Sequence, residues 1–473
     1  MTTSLQSPDG DRPWKQGDLL ELAIESLTDS GDGLGRWGDR VVFVPDTVPG
    51  DRVEARLMVA KPRFGRAQLR HVLTPSSDRV RSACIVADKC GGCQWQGVSY
   101  ETQLATKTQL IQDALERIGG FKDIPMDPIL GDTFNDPRGL HYRNKSTYPI
   151  AAGPEPGTLR AGYYRKGSHK LVNLNQCPVQ DERLDPILAQ VKQDAMARGW
   201  KPYDEKKHAG HLRHLSLRVG RRTGEMLLTL VTRSLYINDL EEQAQQWLEQ
   251  FPELVGVCLN HQPNKGNLIF GEDTQCIAGQ GYITETFADL TFRIAADTFF
   301  QVNTEQAEAL TYAILDELKL TGNETVMDAY CGVGTLTLPI AKQVSHTLGI
   351  EVQEEAISRA RANALLNKLD NVEFRVGKVE IVLPQLLQSE NVCPDLVILD
   401  PPRKGCKPQV LDALLHVNPP RIVYVSCKPA TLARDLKHLS GSYQIDRVQP
   451  ADFFPQTPHV ECAVFLSLKP KNG

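Results

Sequence analysis

The chain has 473 residues, of which 41% are hydrophobic and 23% are charged, and its formal net charge is -5. This length predicts about three domains, and the composition is that of a soluble globular protein. No apolar run approaches the roughly 20 residues of a membrane helix, and residues 1–13 lack the apolar core of a signal peptide. We therefore exclude a membrane protein and expect a cytoplasmic one.

Basic residues are concentrated in the first half of this acidic chain. One such stretch is 52–81, a second, 138–170, has seven Lys or Arg against one acid, and a third, 206–222, has six and no acid. One stretch alone would indicate only a solvated face. Three of them favour a partner that carries phosphate groups, such as RNA.

Residues 14–73 alternate apolar and polar positions between turns that are marked by Gly and Pro. Short strands at this spacing predict a small β-barrel of the kind that often binds single-stranded nucleic acid, with another small all-β domain as the alternative. The segment 31–36, Gly-Asp-Gly-Leu-Gly-Arg, and the following Val-Phe-Val-Pro resemble a TRAM domain, an RNA-binding barrel found in RNA-modifying enzymes. We place this predicted domain at 11–73.

Residues 98–119 predict a helix, because their apolar positions follow a helical period and Gly119-Gly120 ends the pattern. This helix is a candidate to pack on the C-terminal domain, although it lies within a predicted middle α+β domain at 74–295. In the remainder, 296–473, strand patterns alternate with helical ones, which predicts an α/β fold: a doubly wound, Rossmann-like parallel sheet. The strands are expected at 325–328, 347–352, 372–376, 395–399 and 421–425.

A cofactor site is predicted where the first two of these strands end, because ligands of doubly wound sheets lie outside the carboxyl ends of the strands. The first strand ends at Asp328 before a turn that contains Gly332 and Gly334, and the second ends at Glu351, whose carboxylate can bind ribose hydroxyls. The fuller Gly-x-Gly-x-x-Gly of dinucleotide sites is absent. The pattern favours S-adenosylmethionine over NAD, with a packing turn that has incidental glycines as the alternative.

A nucleophile and a base are predicted at the other strand ends. Asp400 and Cys427 close two later strands and should open onto the same crevice, where a nearby cation would lower the pKa of the thiol. A thiolate that adds to C6 of uracil makes C5 reactive, and a carboxylate such as Glu461 could then remove the C5 proton. The alternatives are a buried structural cysteine and an ordinary surface glutamate.

Together these segments resemble the RNA 5-methyluridine (uracil-C5) methyltransferase family. The matching motifs are Ser-Cys-x-Pro at Cys427, His-Val-Glu at Glu461, Asp-Pro-x-Arg at Asp400, and Phe-Phe-Gln-Val-Asn at 299–303. The resemblance implies methyl transfer from S-adenosylmethionine to a uridine in RNA, with Cys427 as the nucleophile and Glu461 as the base. It also implies cofactor contacts from Gln301, Tyr330, Thr335, Glu351 and Asp400.

The chain departs from the family's common pattern at two positions, Thr335 and Gly377-Lys378, and we assign no cofactor contact to Lys378. A cytosine-C5 enzyme is the nearest rival activity, but it would carry a cysteine where this chain has Pro402. A metal-stabilised RNA-binding protein without activity is the rival from another class. The cluster-bearing branch of the family that the chain resembles implies 23S rRNA as the substrate, and tRNA is the alternative. No obligate protein partner is predicted.

Three cysteines, Cys84, Cys90 and Cys93, have the spacing C-x5-C-x2-C, and Cys177 is the best candidate for a distant fourth ligand. Spacing alone leaves zinc and an iron–sulfur cluster open, and three unligated cysteines are the remaining alternative. Resemblance to the cluster-bearing 23S rRNA branch of the family implies a structural 4Fe-4S centre that is bound by all four.

Overall fold

The structure is a computed structural model that describes residues 14–131, 136–388 and 392–470. The N-terminal segment 1–13, which includes the first three residues of the predicted barrel domain, lies outside the described residues. So do 132–135 of the predicted middle domain and 389–391 and 471–473 of the predicted C-terminal domain.

The first unit is a closed five-stranded barrel with the strand order β1-β2-β3-β5-β4. Its strands are β1 (Leu19–Leu27), β2 (Gly33–Trp37), β3 (Arg40–Val44), β4 (Arg52–Ala60) and β5 (Phe64–Thr74). Side chains alternate between the two faces of a strand, so positions such as Leu20, Leu22 and Ile24 fill the interior. The prediction of a small N-terminal β-barrel is confirmed.

The middle of the chain forms a six-stranded sheet with the order β11-β10-β9-β8-β6-β7. Leu188 of α2 and Trp247 of α3 pack in the same hydrophobic core as Leu215 of this sheet. A separate hairpin, β12–β13, leads into the C-terminal unit. The elements in chain order are β6 (Lys145–Ala152), β7 (Leu159–Ala161), α2 (Leu184–Ala197), β8 (Leu212–Val219), β9 (Met226–Thr232), α3 (Leu240–Gln250), β10 (Leu254–His261), β11 (Asp273–Gly279), β12 (Tyr282–Phe287) and β13 (Leu290–Ala295).

The C-terminal unit contains a seven-stranded sheet with the order β16-β15-β14-β17-β18-β20-β19. Neighbours among the first five strands pair in parallel, whereas β20 pairs antiparallel with both β18 and β19. The elements are α4 (Thr304–Leu318), β14 (Thr325–Ala329), α5 (Thr337–Ala341), β15 (His346–Glu351), α6 (Glu354–Leu366), β16 (Val372–Val376), α7 (Val379–Gln388), β17 (Leu396–Leu399), α8 (Pro408–Val417), β18 (Arg421–Ser426), α9 (Pro429–Leu439), β19 (Tyr443–Ala451) and β20 (Glu461–Leu468).

Helices cover both faces of this sheet, because consecutive residues of its buried strands belong to two different hydrophobic cores, as Val326 and Met327 do. The prediction of a doubly wound, Rossmann-like α/β unit is confirmed, and the five predicted strands are present with ends that shift by a residue. The division at 73/74 and 295/296 stays a prediction. No helix in the described ranges is long and apolar enough to cross a membrane.

Helix α1 (Tyr100–Ala114), which a π-helical turn (Leu115–Gly119) extends, precedes the middle sheet in sequence but packs on the C-terminal unit. Ile111 shares a hydrophobic core with Leu432 of α9. Lys107 and Asp452 are both fully buried, and Lys107 Nζ lies 2.5 Å from Asp452 Oδ1 and 3.0 Å from the carbonyl oxygen of Phe454. Removing one partner of such a buried pair typically costs roughly 3–5 kcal/mol. The pair therefore fixes the segment that leads into β20.

Candidate active site

The predicted nucleophile and base lie on two neighbouring strands. In the antiparallel pairing of β18 with β20, Ser426 is opposite Cys462. Cys427 directly follows Ser426, and Glu461 directly precedes Cys462, so the two residues lie at the same edge of the sheet, where the charge of Glu461 contributes to raising the pKa of Cys427. Pro429 begins α9, so the chain must leave the sheet just after Ser426, and Cys427 stands half-buried at the carboxyl end of β18.

A third acidic group faces this pair. Asp400 follows β17 directly, and its backbone N–H donates to the carbonyl oxygen of Ala329 at the end of β14. Its negative charge contributes to raising the pKa of both Cys427 and Glu461, so the three groups share one crevice. Burial also raises the pKa of Asp400 itself, to about 7.

The expected lowering of the thiol pKa was wrong. Burial raises the pKa of Cys427 to about 11, and the charges of Glu461 and Asp400 add to this effect while Arg403 opposes it. The neighbouring cation of Lys428 points instead to the barrel, where its Nζ lies 2.9 Å from Asp29 Oδ2. Burial likewise raises the pKa of Glu461 well above its usual value. The thiol of Cys427 is therefore protonated at neutral pH, and burial disfavours the ionised form of Glu461.

Two residues at this site carried no predicted role. Arg403 Nη2 lies 2.9 Å from Nδ1 of His459, and burial together with the Arg403 charge lowers the pKa of His459 to about 4. The imidazole is therefore neutral and accepts a hydrogen bond from the guanidinium group. The only sequence signal was position, since Arg403 stands in the Asp-Pro-Pro-Arg motif and His459 in His-Val-Glu.

The predicted cofactor turn wraps the carboxyl end of β14. Tyr330 has φ +74°, a left-handed conformation that costs a non-glycine residue roughly 1–2 kcal/mol and that is often found at functional sites. Gly332, with φ +54°, has no heavy atom within 4 Å of where a Cβ would stand. Glu351 Oε2 accepts from the N–H of Gly332 at 3.3 Å, while Oε1 accepts from the N–H groups of two following residues. The open glycine and the adjacent carboxylate fit an adenosine-containing cofactor.

The other residues predicted to contact the cofactor, Gln301 and Thr335, have fewer contacts that hold them at the turn. Thr335 is half-buried on the same turn as Gly332. Gln301 is also half-buried, and its carbonyl oxygen accepts from Asn144 Nδ2 at 2.9 Å, which ties this segment to the start of β6. Within the described residues no hydrogen bond joins Gln301 or Thr335 to Glu351. Of the preceding aromatic pair, Phe300 belongs to the core, whereas Phe299 is 73% exposed.

The four cysteines predicted as ligands are all free thiols, and they lie near one another. Burial raises the pKa of Cys93 to about 12, and the charges of Cys177, Cys90 and Cys84 contribute. The backbone N–H of Gly92 donates to Cys90 Sγ at 3.4 Å, a contact that suits a thiolate ligand. Nevertheless, in the ranges that the structure describes no group of three or more His, Cys, Asp or Glu residues has a metal-binding arrangement. The donor set fits a thiolate-bound centre, but the geometry of the side chains is not that of a closed site.

Comparisons with known proteins agree with this architecture. Residues 13–69 match the TRAM domain family, and residues 99–469 match the tRNA (Uracil-5-)-methyltransferase family. An uncharacterized RNA methyltransferase of Nostoc sp. is 57% identical over 96% of this chain and 97% of its own length. Another from Halalkalibacterium halodurans is 40% identical over 97% of this chain and 98% of its own. A solved structure of Pyrococcus abyssi tRNA (uracil-54, C5)-methyltransferase in complex with S-adenosyl-L-homocysteine is 28% identical and has a TM-score of 0.74, with 94% of this chain and all of that chain covered.

A Rossmann-like sheet with its crevice at the strand ends, joined to a TRAM barrel, defines the protein as an RNA methyltransferase. The chain belongs to the tRNA (uracil-5-)-methyltransferase family. The predicted enzyme class is thereby confirmed.

The charge of Glu461 gives a testable effect on the thiol. Replacing it by the neutral isostere in Glu461→Gln removes a cause of the raised pKa, so the pKa of Cys427 should fall below about 11. The pH dependence of alkylation of Cys427 by iodoacetamide, read by peptide mass spectrometry, measures this pKa. Glu355→Gln, at an exposed position of α6, is the matched control and should leave the profile unchanged. An identical profile in the Glu461→Gln variant would show that the two groups do not interact.

Proposed function

We propose that the protein works in the cytoplasm and methylates C5 of a uridine in RNA through a covalent bond between Cys427 and C6 of the base. The observation that carries this proposal is the position of Cys427 and Glu461 at the adjoining ends of β18 and β20, with Asp400 beside them. Family membership supports the same chemistry. S-adenosylmethionine, when bound at Tyr330, Glu351 and Asp400, supplies the methyl group.

The steps assigned to the protein's own groups follow from this arrangement. Cys427 releases its proton to solvent, and its sulfur forms a bond to C6 as the π bond between C5 and C6 breaks, which places that electron pair on C5 and the conjugated C4 carbonyl group. Once C5 carries the new methyl group, the Glu461 carboxylate removes the C5 proton. The electron pair of that C–H bond re-forms the C5–C6 double bond, and the bond from sulfur to C6 breaks, which returns the thiolate of Cys427.

The target uridine must leave its stack and enter the crevice, since C5 and C6 of a stacked uridine cannot reach both the thiol and the methyl donor. The exposed ring of Phe299, which precedes the segment with Gln301, is available to stack on that base. Arg403 is the cation that offsets the acids of the crevice, because its charge opposes the raised pKa of both Cys427 and Glu461.

The base assignment predicts a trapped intermediate. In Glu461→Gln the adduct can form and be methylated, but no carboxylate is present to remove the C5 proton, so an RNA–protein species should accumulate on denaturing gels. Cys427→Ala/Glu461→Gln is the matched control and should form none, and Cys427→Ala alone should abolish turnover while RNA binding is retained. Rapid turnover by Glu461→Gln without an adduct would contradict the role of Glu461.

We assign 23S rRNA as the substrate on the strength of the four cysteines, which the chain shares with the cluster-bearing rRNA branch that it resembles. The Pyrococcus abyssi relative, whose structure is titled as a tRNA (uracil-54, C5)-methyltransferase, favours tRNA as the second candidate. Both substrates present a uridine in a loop, so the catalytic crevice itself does not discriminate between them.

The substrate assignment predicts that 23S rRNA from cells that lack the protein has lost a 5-methyluridine, whereas their tRNA has not. Nucleoside mass spectrometry of the separated RNA fractions, with and without a plasmid-borne copy, measures this difference. A Cys427→Ala copy is the control that should not restore the methyl group. Loss from the tRNA fraction alone would establish the second candidate.

The cysteine site is proposed to bind a 4Fe-4S cluster through Cys84, Cys90, Cys93 and Cys177. Support comes from the mutual proximity of the four thiols and from the N–H that points at Cys90 Sγ. Anaerobically purified protein should then contain about four iron atoms per chain and absorb visible light. Cys177→Ser should lower the iron content, whereas Cys393→Ser, at an exposed cysteine elsewhere, should not. Zinc in place of iron would refute the cluster.

A further inference from the structure

A short hairpin presents cations and an aromatic ring to solvent. It lies next to the loop that contains Cys84, Cys90 and Cys93, which we call the cysteine loop. Tyr164 pairs with Leu171, and the N–H of Arg165 donates to the carbonyl oxygen of Lys170 at 2.8 Å, which closes the turn between them. Gly167 at its tip has φ +63° and no heavy atom within 4 Å of where a Cβ would stand. We call residues 164–171 the basic hairpin. A side chain at this position of the tip would therefore meet open space.

The basic hairpin is held rigidly by the loop that contains three of the cysteines. The N–H of Gly91 donates to the carbonyl oxygen of Tyr164 at 2.8 Å, and the N–H of Lys166 donates to that of Lys89 at 3.0 Å. From the barrel, Asp46 lies 2.5 Å from the ammonium group of Lys166. The loop thus fixes the backbone of the hairpin, and the barrel contacts one of its side chains.

The remaining cations of the basic hairpin are free to bind an anion. In the described part of the chain no carboxylate lies within salt-bridge distance of Arg165 or Lys170. Tyr164 keeps 45% of its surface exposed, and His169 contacts its ring edge-on at 5.8 Å between ring centroids. Cations beside an exposed aromatic ring are the combination by which proteins bind single-stranded nucleic acid, through phosphate contacts and base stacking.

The hairpin borders a cavity of about 500 Å³, which is within the range of small-ligand sites, roughly 300–1,000 Å³. Residues from the barrel, the cysteine loop and the hairpin line it, among them Gly31, Asp32, Gly92, Gln94, Tyr164 and Lys166. The same barrel turn that supplies Asp32 also supplies Asp29, the partner of Lys428 next to the nucleophile. Three residues of chain span at most about 11 Å, and Asp29 also lines the pocket that contains Cys427, so one barrel turn borders both the cavity and the catalytic crevice.

We propose that the basic hairpin and this cavity form a second RNA subsite, which binds an unpaired nucleotide beside the one that is methylated. Arg165 and Lys170 contact its phosphates, and Tyr164 stacks on its base. The cysteine loop acts as the scaffold of this subsite. The inference rests on RNA being the substrate, and it adds a recognition element that lies outside the catalytic groups.

The subsite is tested by binding of a fluorescein-labelled single-stranded RNA 20-mer of mixed sequence, followed by anisotropy at several salt concentrations. Tyr164→Ala should raise Kd at least about fivefold, because stacking on one base contributes roughly 1–3 kcal/mol. Arg165→Gln/Lys170→Gln should lower the slope of log affinity against log salt by roughly 1.4, which is about 0.7 for each lost phosphate contact in single strands. Lys342→Gln, an exposed lysine at the end of α5, is the matched control for charge.

Folding and activity are checked separately. Thermal melts should match for all variants, and Tyr164→Phe, which keeps the ring, should bind like the parent protein. On RNA from cells that lack the enzyme, the variants should raise KM and leave kcat near its original value, because none of these residues belongs to the catalytic crevice. Unchanged Kd and salt slope in folded variants would overturn the subsite. Binding does not require methyl transfer, so a failure of the proposed chemistry would be seen independently.

Discussion

The antiparallel pairing of β20 with β18 is the constraint on which the candidate site depends. Because β20 runs against the five parallel strands, its first residue, Glu461, meets the carboxyl end of β18, where Cys427 stands. A parallel strand at this position would have presented its opposite end. Ladder pairing holds Ser426 opposite Cys462, so Glu461 and Cys427 are each only one residue away from a fixed position in the sheet. Proximity of this kind is what a two-step covalent reaction requires.

Burial dominates the electrostatics of the crevice. Glu461 is buried and Cys427 half-buried, and desolvation is the first cause of the raised pKa of each, while the charge of the more exposed Asp400 adds to both effects. The positive charge of Arg403 only partly offsets the raised pKa of Cys427 and of Glu461. A positively charged ligand would favour ionisation of the thiol and of the carboxyl groups. The reactivity of the thiol is in this way coupled to what occupies the crevice.

Much of the catalytic unit could be predicted from the sequence, because buried parallel strands appear as short apolar runs and their ends place Asp400 and Cys427 on one edge. Contacts between distant segments could not be predicted from the sequence. Lys107 and Asp452 are 345 residues apart, and nothing local to either indicates the other. The thiol pKa was mispredicted for the same reason: Lys428 looks like a neighbour of Cys427 in sequence, but its side chain reaches Asp29 of the barrel. Spacing grouped three cysteines but could not identify their fourth partner, for which Cys177 was only the best distant candidate.

The position of helix α1 bears on where in the chain the catalytic unit begins. It precedes the middle sheet in the chain, yet it packs on α9 and supplies the cation for Asp452. The match to the methyltransferase family also begins at residue 99, the cap of this helix, rather than near 296. In sequence the middle sheet therefore lies between α1 and the unit on which α1 packs. A fragment cut at 296 would retain every residue of the crevice but leave a charge in its interior with no counter-ion, so any transplanted catalytic module must carry α1 with it.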